Sequence, residues 1–279
     1  MPHLLLPSLL LLMTCTSGLM AETITVRADL WAPYNAQPDS DHPGTVIEMT
    51  KEIFAAHGIT IDYQLLPWPR AVQACKNGEI DAIVGSMGKE FDGIVIGTQP
   101  VATATSSLIG LAEQKFSFAD STDFAALDQI QIAYPRGYNF TADIDAYLRS
   151  PTRTNITEVG GEEPLIQAVA LLEHKRVDAY IEDYLVFFAA LPDEKKAHFK
   201  VLGQMSQPIP FYIAFSPTKP QATHWAELLD QGLVELKRTG RYTAILARYG
   251  IIEPATAAVA VPLVAVPTVA VPLSAPPAP

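Results

Sequence analysis

Only two cysteines, Cys15 and Cys75, occur in 279 residues. The first lies in an N-terminal apolar stretch, so the folded part keeps one thiol, forms no internal disulfide and depends on its packed core for stability. Positive charge is also scarce: 19 Lys and Arg stand against 30 Asp and Glu, a net charge of −11. That balance argues against a nucleic-acid or anionic-membrane partner, either of which requires a basic face. Long apolar runs are missing too. The opening "MPHLLLPSLLLLMTCTSGLMAE" is too short to span a bilayer and ends in small residues, the pattern of a secretory signal peptide over 1–21, cut after Gly18 or Ala21. Within it, "LMTC" offers a lipidation site at Cys15 as the alternative to release in soluble form. His42, His57, His174, His198 and His224 lack metal-ligand spacing and no Ser, His and Asp arrangement is legible, so no metal, cofactor or triad chemistry is expected.

At the other end, "ATAAVAVPLVAVPTVAVPLSAPPAP" repeats Val-Ala-Val-Pro and carries no charge after Glu253. Proline at that frequency breaks helical hydrogen bonding, so 251–279 reads as a disordered tail. Between the ends the pattern alternates. "ITVRA" reads as a strand and "GTVIEMTKEIFAAHG" as a helix with Val46, Met49, Ile53 and Phe54 on one face. "TIDYQLL", "PRAVQACKN" and "IDAIV" continue as strand, helix and strand. The rhythm restarts with "IQIAY", a helix over 141–149, "NITEV", a helix over 164–174 and "VDAYI". Such alternation means parallel sheets covered by helices.

Two extended runs, "ATATSSLIGLA" and "QPIPFYIAFS", flank the second unit, and the closing helical segments "QATHWAELLDQGLVELKRTG" and "RYTAILARYG" belong back on the first. The expected architecture is α/β and two-lobed, with lobe 1 over 22–106 and 211–250, lobe 2 over 107–210, and a hinge of two crossing segments beside a cleft. Ligands of open α/β sheets sit beyond the carboxyl ends of the strands. "NGEIDAIVGS" and "RVDAYIED" repeat one corner, which places Ser86 and Asp183 at equivalent strand ends on either side of that cleft.

With "WAPYN", "GTVIEMTKEIF", "RGYNF" and "LKRTGRYTAILARYG", these motifs resemble the family 3 extracellular solute-binding proteins. These are amino-acid-type periplasmic receptors of bacterial ABC importers with the type II periplasmic binding fold. The resemblance covers nearly the whole folded chain and implies a monomer that binds a small polar solute and meets a permease in the inner membrane. It places Tyr34 in the first-lobe wall of the ligand site, with Trp68 a second aromatic candidate; core packing is the rival role for both. It gives Ser86 a hydroxyl that meets a polar group, against a plain turn Ser. Asp183 takes the position that receives an ammonium, against a helix N-cap at "EDYLVFFAA", with Glu182 as its substitute. In "YPRGYNFTAD" the amides of Tyr138 and Asn139 precede a helix and could meet an anionic group.

One departure bears on the ligand. Amino-acid receptors of this family follow the Ser with a Thr and then an Arg that clamps the ligand carboxylate, whereas here the text is "SMGKEFDG", and no Arg occurs from Ala71 to Pro135. An anionic ligand would need Arg70 or Arg136 as the clamp; an ion pair between Arg70 and Glu48 is the structural rival. The expected function is therefore periplasmic binding of an amino-acid-like or amine-containing solute, without covalent chemistry. The alternatives are a sensory module, which would continue into a membrane helix and signalling domain, and a cleft carboxylate enzyme such as a dehydratase on the same fold.

Overall fold

In the computed structural model, residues 22–119 and 123–251 are described; the signal-peptide, lipidation and tail readings lie outside them. The first unit runs β1 (Thr23–Ala28), α1 (Thr45–Ala55), β2 (Thr60–Leu65), α2 (Trp68–Asn77) and β3 (Ala82–Ser86), followed by the short β4 (Val95–Ile96) and β5 (Ala102–Ala104). β1 pairs in parallel with β2 and β3. Its alternation buries Ile24, Val26 and Ala28 beneath the expected α1 face of Val46, Met49, Ile53 and Phe54. Gly44 opens α1 at φ 111, where a Cβ would lie 2.3 Å from the Tyr34 carbonyl oxygen, so only glycine fits. α2 begins at Trp68 with Pro69 in its first turn and stops at Gly78, which is left-handed.

The second unit repeats this order. It runs β6 (Ser106–Leu111), β7 (Ile132–Pro135), α3 (Ala142–Leu148), β8 (Ile156–Val159), α4 (Pro164–Glu173), β9 (Ala179–Asp183), α5 (Tyr184–Ala189), α6 (Asp193–Lys196) and β10 (Phe199–Gln204). β7 pairs in parallel with β8 and β9, as β1 does with β2 and β3. The chain then returns through β11 (Ile209–Phe215), antiparallel to β3, and α7 (Ala222–Arg238) and α8 (Arg241–Arg248) pack back on the first unit.

Two sheets result, one ordered β2-β1-β3-β11-β4 with β5 on β11, the other β10-β6-β9-β7-β8. This is the two-lobed α/β arrangement expected from the alternation. The chain changes sheet at Thr105 and again over 205–208, just before the boundaries read at 106/107 and 210/211, because Ser106 already pairs with Asp183 and Ile209 with Ala104. The crossings are tied together: Met205 N donates to Ser106 O at 2.7 Å, and Ser106 N to Ser206 Oγ at 3.1 Å.

The proposed Arg70 to Glu48 pair is not formed. α1 lies beside α7 and α8, so Glu48 meets Arg248 and accepts from the Tyr249 hydroxyl, while α2 packs against β1 and β3. Among the described residues no helix is long and apolar enough to cross a membrane.

Candidate functional site

β3 ends at Ser86, β9 ends at Asp183, and a cavity of about 50 Å³ opens beside these ends. Asp29, Trp31, Trp68, Met87 and Glu90 line it from the first lobe, and Tyr138, Asn139, Phe140, Glu182 and Asp183 from the second. Thr105 and Phe211 close the hinge side. Among the described residues, none that lines it is Lys, Arg or His.

Two bonds cross from lobe to lobe inside it. The Tyr138 hydroxyl donates to Asp29 Oδ2 at 2.5 Å, and Trp31 Nε1 donates to Glu182 Oε1 at 2.9 Å. Asp29 directly follows β1, and its carbonyl is held by Asn35 Nδ2 at 2.7 Å. Burial pushes the Asp29 carboxyl up to about 6 although the Tyr138 bond opposes the shift. Glu182 goes further, to about 8, because burial outweighs the donors from Trp31 and the Asp183 amide, and the neighbouring Asp183 and Asp29 charges add to it. At neutral pH Glu182 therefore keeps a proton that a cation would displace, whereas Asp29 is already mostly ionised.

The end of β3 is organised differently. Glu90 folds back over the turn: Ser86 Oγ donates to its Oε2 at 2.5 Å, Met87 N to Oε1 at 2.7 Å and Lys89 N to Oε2 at 3.1 Å. The hydroxyl and amides that an anionic ligand group would use are thus already held by a carboxylate of the chain itself.

Of the residues expected from sequence, Trp68, Tyr138, Asn139 and Asp183 line the cavity. Tyr34 does not. It is buried behind the wall, with its hydroxyl donating to Thr103 O at 3.1 Å and its ring 4.8 Å from Trp31 and 5.1 Å from Phe211, both of which do reach the cavity. Ser86 is likewise behind the surface, bonded to Glu90. Tyr138 acts through its side chain, since its amide closes a turn onto Pro135 O at 3.3 Å; Asn139 Oδ1 accepts from Arg149.

Asp183 has the N-cap geometry that was its rival role. Oδ1 accepts from Leu185 N at 2.9 Å and Val186 N at 3.3 Å, and Oδ2 from Thr105 N at 2.8 Å, so the carboxylate fastens α5 to the first crossing. Glu182, beside it, carries the lobe-bridging bond instead. Arg70 and Arg136 stand outside the cavity, with side chains 60% and 61% exposed, paired with Glu162 at 2.5 Å and Glu158 at 3.4 Å. Both line an outer opening of about 400 Å³ that shares Asp29, Trp68 and Tyr138 with the cavity. Asp29, Trp31, Glu90, Phe140 and Phe211 were missed. Asp29 and Trp31 had a signal, since they follow the first strand end directly; Phe211 had none, because it reaches the site only by the return of β11.

The family model of the bacterial extracellular solute-binding proteins, family 3, matches residues 23–251. The chain belongs to this family. No curated protein matches it by sequence. Among solved structures it is similar to a histidine kinase sensor domain with similarity to periplasmic binding proteins, at 20% identity and a TM-score of 0.67, covering 83% of this chain and 98% of that one. An ancestral arginine-binding protein bound to arginine gives 17% identity and 0.67, with coverage of 82% and 99%. An arginine periplasmic binding protein of a third transport system from Legionella pneumophila gives 19% and 0.64, with coverage of 82% and 99%. These likenesses establish the type II periplasmic binding fold. The family is one of binding proteins rather than enzymes, with extracellular members.

Proposed function

We propose that this family 3 protein works in the periplasm as a monomer, closing its lobes on a small polar solute that bears an amine and presenting the closed form to an ABC importer in the inner membrane. The observation that carries the reading is that Asp29 and Glu182, one from each lobe, both line a cavity that no cationic side chain lines among the described residues. A cation placed there gains from both carboxylates only when the lobes are together, so binding and closure are one event. Trp68, Tyr138 and Asn139 complete the wall, while Asp183 positions Glu182 and the hinge rather than the solute. In this reading Arg70 and Arg136 stay at the rim and clamp no carboxylate. The likeness to a sensor domain supports a second output, in which a membrane signalling partner reads the same closed form. No covalent step is needed, because the buried carboxylates serve as the counter-charges of the solute.

A thermal-shift screen over amino acids, amines, short peptides and organic acids tests the reading, since a solute that binds only the native state raises apparent stability by mass action. Amine-bearing solutes should stabilise the protein and reduce its radius in solution scattering. Stabilisation by organic acids alone, or binding confirmed by calorimetry without contraction, would overturn it.

A further inference from the structure

The chemistry of the cavity goes beyond an amine preference. A zwitterionic amino acid brings a carboxylate as well as an ammonium, and a buried carboxylate needs donors or a cation. At the end of β3 the three available donors, Ser86 Oγ, Met87 N and Lys89 N, all point at Glu90. The Gly88 amide is engaged too, on Ser86 Oγ at 2.9 Å. Nearby cations are committed elsewhere: Lys89 Nζ to the Phe140 carbonyl at 2.6 Å and to Asp145 at 3.8 Å, Arg70 to Glu162 and Arg136 to Glu158. A ligand carboxylate entering this space would meet the Glu90 charge in the place where its own partners should be.

An ammonium meets the opposite situation. The Tyr138 bond falls on one oxygen of Asp29, and the Trp31 and Asp183 bonds fall on one oxygen of Glu182. Around these carboxylates stand the rings of Trp31, Trp68, Tyr138 and Phe211, whose faces attract cations, including alkylated ones that donate few hydrogen bonds. A volume of about 50 Å³ accepts roughly four water-sized groups. That is enough for a small alkylammonium head. Past Asp29, Trp68 and Tyr138 the wall gives onto the outer opening, which leaves room for a tail.

Resting on the amine reading above, we propose that the solute is a carboxylate-free ammonium compound whose charged head sits between Asp29 and Glu182, and that Glu90 excludes zwitterionic amino acids by filling the anion cradle with the protein's own carboxylate. Calorimetry on the full chain with matched pairs tests it: glycine against methylammonium, serine against ethanolamine, arginine against agmatine, with trimethylammonium as an alkylated head. At least one carboxylate-free member should bind at least tenfold tighter than its amino acid. Asp29→Asn and Glu182→Gln, each first verified as folded by thermal unfolding, should weaken it by at least tenfold. Glu90→Ala, which frees Ser86 Oγ and the Met87 and Lys89 amides, should raise affinity for the amino-acid member and narrow the gap. If the amino acids bind as tightly as their decarboxylated partners, the inference is wrong while the amine reading stands. If no amine of either kind binds and only neutral or anionic solutes do, both fail together.

Discussion

Tyr138→Phe removes a single oxygen from one of the contacts that join the lobes, and its effect can be worked from the geometry. The hydroxyl reaches Asp29 Oδ2 at 2.5 Å in a buried setting, a hydrogen bond to a charged acceptor of the kind worth about 1.5–3 kcal/mol. The ring itself stays, with its edge contact to Trp68 at 6.3 Å between centroids, so packing loss is small. Because Tyr138 and Asp29 belong to different lobes, the whole deficit falls on the closed form, and the closure equilibrium should shift toward open by about ten- to a hundredfold. Asp29, without its donor, should also hold its proton to a higher pH than about 6. With an amine solute at a concentration that half-saturates the parent, solution scattering of the variant should show a larger radius than the parent, and acrylamide should quench Trp31 and Trp68 more readily. Tyr34→Phe is the control, since its hydroxyl bonds Thr103 O within the first lobe and its loss should lower stability without changing the radius. An unchanged radius and unchanged quenching in Tyr138→Phe would refute the view that this bond latches the lobes.

Asp183→Asn keeps the shape of the cap but loses the charge that serves three backbone amides; it should lower unfolding stability by about 1–2 kcal/mol in a urea titration. Should a stably folded variant instead lose only solute affinity, Asp183 would be a ligand contact rather than a positioning residue. The pH dependence of stability follows from Glu182, which Asp29, Asp183, Trp31 and Tyr180 surround. Its folded value of about 8 lies above the ordinary 4.5, so the native state binds the extra proton between them. Stability from this group is full below the ordinary value and is lost as pH rises through the folded one, at up to about 1.4 kcal/mol per pH unit. Unfolding titrations from about pH 5 to about pH 9 should show that decline, and Glu182→Gln should flatten it. Arg70→Met removes only an exposed pair with Glu162 and should change stability by less than about 1 kcal/mol. In calorimetry it should leave the preference between a carboxylate solute and its amide unchanged; selective loss of the carboxylate form would restore Arg70 as a clamp.

The sequence by itself determined the two-unit α/β rhythm, because each element carries its own local signature: period-3.6 burial at Val46, Met49, Ile53 and Phe54, alternation at Ile24, Val26 and Ala28, and glycine stops such as Gly78. It also set Ser86 and Asp183 at equivalent strand ends, since a repeated pattern makes a repeated corner. What lies within a few residues could be read in the same way: the Asp183 cap onto Leu185 and Val186 is local chemistry, and so is the reach of Glu90 back to Ser86. Tertiary structure alone decided the rest. Trp31 and Tyr34 are three residues apart and in contact, yet one bonds Glu182 across the cleft and the other Thr103 behind the wall. Arg70 pairs with Glu162 rather than Glu48 because α2 packs against β1 and β3, while α8 lies beside α1 and holds Arg248 and Tyr249 at Glu48. Asp29 and Glu182 stand 153 positions apart in the chain, and their acidic site exists only where two lobes meet. Ion pairs and buried charges depend on distances of a few ångströms between distant segments, and local sequence fixes the direction of a chain but not those separations.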